Sequence, residues 1–207
     1  MKLASVALVL VSFVVPGCAE SVATRHDASS ADAAPVNDAH SATDAHPSTD
    51  GGAVTPGLVV NEMQATGTEF VELLNTGSSP IDLSALRFTD DDNGMPNASH
   101  ATALPAGVVL HTGDRFVVVT NVSGAASGLS MGTACMITGV DRCMQASFGL
   151  SNTNGDAAYV FASDDSVVAE AHYPAMGAPS GSSYCRLPDG TGALTTCTPT
   201  PDVANAP

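Results

Sequence analysis

Residues 58–75 read LVVNEMQATGTEFVELLN, two short apolar runs, Leu58–Gln64 and 69–75, neither long enough to carry a helical period. Both are rich in Val, Leu and Phe, as half-buried strands are. The same character continues downstream in 81–88, 115–120, 157–162 and 167–173. Turn-forming clusters separate these runs: Asn75-Thr76-Gly77, Asp92-Asn93-Gly94, Asn154-Gly155-Asp156, Ser163-Asp164-Asp165 and Asp189-Gly190. The last two runs, joined across 163–166, predict a hairpin. In 167–173 one face carries Val167, Ala169, Ala171 and Tyr173, and the other Val168, Glu170 and His172. Several short strands with frequent turns and no 10–15-residue helical stretch give an all-β fold, a sandwich or a barrel.

Within 69–75 both faces are apolar apart from the ends and Glu72, which lies between Phe70 and Leu74. A carboxylate in that position is partly buried and needs a partner. The Lys and Arg cations of this region are Arg87, Arg115, Arg142 and Arg186, so an arginine contact is expected. The alternative is that Glu72 binds a ligand.

Upstream the chain changes character twice. Lys2 precedes an apolar run over residues 3–15, then Pro16, Gly17 and Cys18. That is the order of a secretory signal, and the run is too short for a membrane-spanning helix, which takes about 20 residues. Val15-Pro16-Gly17-Cys18 resembles a bacterial lipobox, which implies cleavage after Gly17 and a lipid anchor on Cys18. Ala19 follows it; in the sorting pattern of enteric bacteria this resembles an outer-membrane destination. Residues 1–17 are therefore expected to be a lipoprotein signal peptide. Residues 18–56 are expected to be a lipidated N-terminus and a disordered tether, since Ala, Ser, Thr, Asp, His, Pro and Gly cannot bury enough surface to order themselves. Such a coil spans roughly 30–40 Å on average. Asp38-Ala39-His40 and Asp44-Ala45-His46 within it pair imidazole with carboxylate, but a disordered tether gives up too much entropy for a tight metal site. Residues 57–207 form the globular domain with a C-terminal tail.

The ordered motifs of that domain resemble the lamin-tail domain family. Val59-Val60-Asn61-Glu62, then Thr68-Glu69-Phe70-Val71-Glu72-Leu73-Leu74-Asn75, then Ile81-Asp82-Leu83-Ser84 is similar to the family's opening strands. Leu104-Pro105-Ala106-Gly107 through Gly113-Asp114-Arg115-Phe116-Val117-Val118 resembles its middle hairpin. Phe148-Gly149-Leu150-Ser151-Asn152 through Tyr173 resembles its closing strands, and 181–190 its C-terminal segment. Phe70 stands where tryptophan is usual, Ala85-Leu86 replaces a Gly-aromatic step, and 124–146 form an insertion without a clear counterpart. The resemblance implies an immunoglobulin-like β-sandwich and a non-catalytic accessory module of secreted or surface proteins. It does not by itself settle function.

The chain carries 21 acidic residues against 6 basic ones, a formal charge of −15. Binding of nucleic acid rests on Lys and Arg neutralising phosphates, so nucleic acid is not an expected partner. With no tryptophan and 4% aromatics, the core is light. Cys135, Cys143, Cys185 and Cys197 remain after Cys18 is set aside, with three possible connectivities. The local pairing, Cys135–Cys143 and Cys185–Cys197, is the expected one in an oxidising compartment. A zinc site of four thiolates is the rival, without any C-x-x-C pair to support it.

No catalytic constellation is legible. Gly124-Ala125-Ala126-Ser127-Gly128 and Gly149-Leu150-Ser151-Asn152-Thr153 both miss G-x-S-x-G. His100, His111 and His172 fall into no triad. Asp90-Asp91-Asp92-Asn93 offers hard oxygen ligands for a loose calcium loop, perhaps with Asp156, yet an EF-hand starting at Asp90 would put Met95 where glycine is needed and Ala101 where glutamate is needed. The expectation is a lipid-anchored, non-catalytic envelope protein without cofactor or metal, whose partner is a protein or polymer of the envelope or exterior. A calcium-dependent adhesin or glycan-binding module, and an accessory protein of a secreted hydrolase, are the alternatives.

Overall fold

A computed structural model describes residues 57–92 and 95–207. The signal segment 1–17, Cys18, the tether to residue 56 and Asn93 all lie outside the described residues. Fourteen strands follow in chain order: β1 (Leu58–Gln64), β2 (Phe70–Asn75), β3 (Ile81–Asp82), β4 (Arg87–Asp92), β5 (Met95–Pro96), β6 (Thr102–Ala103), β7 (Val109–Leu110), β8 (Arg115–Val119), β9 (Leu129–Met131), β10 (Arg142–Gln145), β11 (Gly155–Phe161), β12 (Val167–Pro174), β13 (Ser183–Leu187) and β14 (Ala193–Cys197). One sheet runs β14-β13-β1-β2-β8-β10-β9; the second runs β12-β11-β4-β5, with β6 also on β4; β3 and β7 pair separately.

Strand alternation sends Val60, Met63, Val71, Leu73, Phe116 and Val118 of the first sheet and Phe88, Ala158, Val160, Ala171 and Tyr173 of the second into one core. Two sheets facing each other over a shared core make an immunoglobulin-like β-sandwich. Apolar residues cover the outer faces too. On the first sheet Phe70, Val117 and Val119 pack under Cys135, Val140 and Cys143. On the second, Ala157, Tyr159 and Phe161 pack under Ala98 and Ala101.

Three local expectations are revised. The run 81–88 is not one strand: the Asp82 carboxylate accepts from Ser84 N at 2.9 Å and caps a 3-10 turn, Leu83–Ala85, that separates β3 from β4. In β12 a register shift opposite Val160 and Phe161 inserts one residue. Val168 therefore joins the main core and Val167 the outer cluster, the reverse of simple alternation, because a bulge flips side-chain parity. The insertion 124–146 supplies β9, a 3-10 turn and β10, which runs parallel to β8 and extends the first sheet.

Cys135 is bonded to Cys143 with a Cα separation of 5.6 Å, and Cys185 to Cys197 at 6.1 Å. The four thiols are thus used in pairs, not gathered around a metal. The second bridge ties β14 to β13 at their Cys185 and Cys197 ends. Replacing both Cys185 and Cys197 by serine is expected to cost about 2–3 kcal/mol, as the loop they close is short. Urea denaturation of the double variant against wild type measures it.

Candidate functional site

The antiparallel register of β1 and β2 sets Glu62 directly opposite Glu72. A bulge between Val60 and Glu62 breaks the alternation of β1, so that after core-facing Val60 both Asn61 and Glu62 are buried polar residues. On β2, Val71 and Leu73 take the core side while Phe70 joins the outer cluster, which gives Glu72 the outer face as well. Neither carboxylate has exposed surface: both are at 0%.

Each is ligated by the chain itself. Glu72 accepts from Asn61 Nδ2 at 2.8 Å and from the Asp202 backbone N–H at 2.7 Å. Arg115 Nε lies 3.3 Å from its Oε1, an ion pair without an aligned hydrogen bond. This is the arginine contact expected for Glu72, and Arg115 is the one of four that reaches it because Glu72 and Val117 are cross-strand partners on β2 and β8. Glu62 accepts from the Ser183 hydroxyl, from Thr200 N at 3.0 Å and from Thr200 Oγ1 at 3.2 Å.

A second tier holds these groups. Arg115 Nη2 also pairs with Asp189, whose Oδ1 accepts from Asn61 Nδ2 at 3.0 Å and from Asn205 N at 3.1 Å. Gly190 N donates to Asn61 Oδ1 at 2.9 Å. Gly190 has φ +69°, and a side chain there would meet Thr76 Cγ2 at 2.7 Å and Leu74 Cδ2 at 2.8 Å, so only glycine lets this backbone approach. Asn205 Nδ2 closes the arrangement on the carbonyls of Asn61 and Arg186, at 3.2 and 3.1 Å. Residues 198–207 thus lie over the acids as a strap held mainly by polar contacts.

Burial pushes the Glu72 carboxyl up to about 8, against the lowering effect of Asn61, the Asp202 amide and Arg115; the neighbouring Glu62 charge adds to the rise. Burial raises Glu62 too, opposed by Ser183 and Thr200. A carboxyl held near neutrality is the type of group that serves as a general acid. Here the same contacts that ligate the pair close it to solvent.

The remaining sequence candidates do not assemble. Asp90 is paired with Ala158 on β11, and Asp91 and Asp92 pair with β5. Asp156 accepts from Ser151 N at 2.6 Å and Ala157 N at 2.8 Å. Among the described residues no group of three or more His, Cys, Asp or Glu is arranged to hold a metal ion. His100, His111 and His172 sit on three separate elements, with His172 Nε2 3.7 Å from Glu170. Glu62, the strap and Asp189 were not legible as a site. Their one sequence signal is the Asn61-Glu62 step at the end of an apolar run.

No curated protein matches the chain. The family model of the lamin tail domain matches residues 52–175. β13, β14 and the strap lie beyond that match, although β13 pairs with β1 inside it. The match covers more than half of the sequence and falls on the strands of the observed sandwich, and the chain belongs to the lamin tail domain family.

Proposed function

We propose that this protein is a lipid-anchored, non-catalytic component of the cell envelope that presents its lamin tail domain to bind or scaffold a protein or polymer. The observation that carries the non-catalytic part is the closure of the Glu62–Glu72 pair: its acids have no exposed surface and are capped by the amides of Thr200 and Asp202. What the fold leaves available is its exterior, including the open edges of its sheets. The anchor rests on the sequence around Cys18, where two or more acyl chains give stable membrane attachment and one does not. Ala19 supports the outer membrane as destination.

The anchor and the binding role are tested together. Wild-type chain is expected in the membrane fraction with an acyl-bearing Cys18 by mass spectrometry, and Cys18→Ser in the soluble fraction. Wild type recovered without acyl mass and wholly soluble overturns the anchor. The immobilised chain is expected to enrich one component of detergent-solubilised envelopes, and to lose it when the disulfides are reduced. Enrichment of nothing above the reduced control overturns the binding role.

A further inference from the structure

Of the large apolar side chains exposed on the described residues, three fall within one stretch of the insertion: Leu129 at 43%, Met131 at 61% and Met136 at 58%. That stretch is the end strand of the seven-stranded sheet and the turn after it. Gly132 N donates to Asp141 O at 2.8 Å, next to the Met131–Arg142 pair. Hydrogen-bonded and non-bonded pairs alternate along an antiparallel ladder, so the amide groups of Leu129 and Met131 face the open side. The Cys135–Cys143 bridge fastens this edge to the sheet, which makes it a preorganised surface.

Two hollows flank the edge, and Asp141 lines both. One, about 340 Å³, is bounded by Asp114, Arg115, Met131, Asp141, Arg142 and Asp202. The other, about 480 Å³, is bounded by Met136, Ile137 and Val140 among others. Arg115 is already neutralised by Glu72 and Asp189. In the first hollow three carboxylates are therefore balanced by Arg142 alone. Residues 57–207 as a whole carry fifteen acidic residues against four arginines. Arg87 is committed to Asp165, and Arg186 to the carbonyls of Val60 and Gly192.

We propose that this edge is the docking surface for an extended, cationic segment of a partner protein in which basic and apolar residues alternate. This rests on the binding role proposed above and names its surface and partner chemistry. The segment's backbone adds to β9, as extended peptides do at an open sheet edge. Its apolar side chains settle on Leu129, Met131 and Met136, where the flexible, polarisable thioethers adapt to different shapes. Its Lys or Arg side chains meet Asp114, Asp141 and Asp202, which favours cationic over anionic partners and makes binding sensitive to salt.

The test uses the full chain in phosphatidylcholine nanodiscs, with empty nanodiscs as blank, and three synthetic peptides of alternating Lys–Val, Glu–Val and Lys–Ser. Lys–Val is expected to bind best, with affinity falling as salt is raised. Met131→Ser/Met136→Ser is expected to weaken it about tenfold or more, from the apolar area no longer covered. Asp141→Asn is expected to weaken it and flatten its salt dependence, and Met176→Ser, also 61% exposed, to leave it unchanged. All of these side chains are exposed, and unchanged melting temperatures verify that the variants fold. Equal binding of Glu–Val, or wild-type affinity in the double methionine variant, overturns the proposal. If the double variant still enriches the same envelope component as wild type, this surface is wrong while the binding role stands.

Discussion

The domain is expected to lose stability as pH rises from about 5 to about 9, by an amount on the order of 5 kcal/mol from Glu72 alone. In the unfolded chain this carboxyl titrates near 4.5, and in the native state near 8. Between those values the native state keeps a proton that the unfolded chain has released. Raising the pH across that window therefore favours unfolding, and below it the contribution is constant. Glu62 is shifted in the same direction for the same reason, burial, and steepens the dependence. Urea denaturation at pH 5, 7 and 9 gives the slope directly. Glu72→Gln, which keeps the shape and removes the titration, is expected to flatten most of it, with the remainder due to Glu62. A wild-type chain as stable at pH 9 as at pH 5 would contradict the burial of this acid.

Arg115→Ala has the second large effect, and its size depends on pH. At pH 9 Glu72 is ionised, and removing its cation leaves a buried charge held only by Asn61 and a backbone amide; the expected cost is about 3–5 kcal/mol. For a chain of this size that lowers the melting temperature by roughly 10 °C. At pH 6 Glu72 can hold a proton, so the loss shrinks to the contacts with Asp189 and the Gly113 carbonyl, about 1–2 kcal/mol. A double-mutant cycle with Glu72→Gln, run at both pH values, isolates the pair. The coupling energy should be large at pH 9 and small at pH 6. Equal coupling at both would mean that Glu72 does not change protonation between them.

Both expectations trace back to a carboxylate visible as anomalous in the sequence. Glu72 interrupts an apolar strand, and a lone acid there needs a cation because a buried unpaired charge is costly. Which arginine answers it depends on strand order: β8 lies beside β2 only after the sheet has formed, 43 positions along the chain from Glu72 to Arg115. Glu62 was harder to read. It follows Asn61 near the end of an ordinary-looking strand, and only the bulge makes it a second buried acid. The strap, TPTPDVANAP, has the composition of a loose tail, with Val203 57% exposed, so nothing apolar marks it as fixed. It is held because the acids beneath it require donors.

The sequence by itself determined the all-β class, most of the long strands and the cysteine pairs that lie near each other in the chain. These follow from local causes: side-chain period, turn residues and short loops. Tertiary structure alone decided the split of β3 from β4, the shift of parity in β12, the parallel placement of β10 and the assembly of Asn61, Glu62, Glu72, Arg115, Asp189 and the strap. Each of these depends on which strand becomes the neighbour of which. That choice is made by burying the whole core at once, and no single segment encodes it.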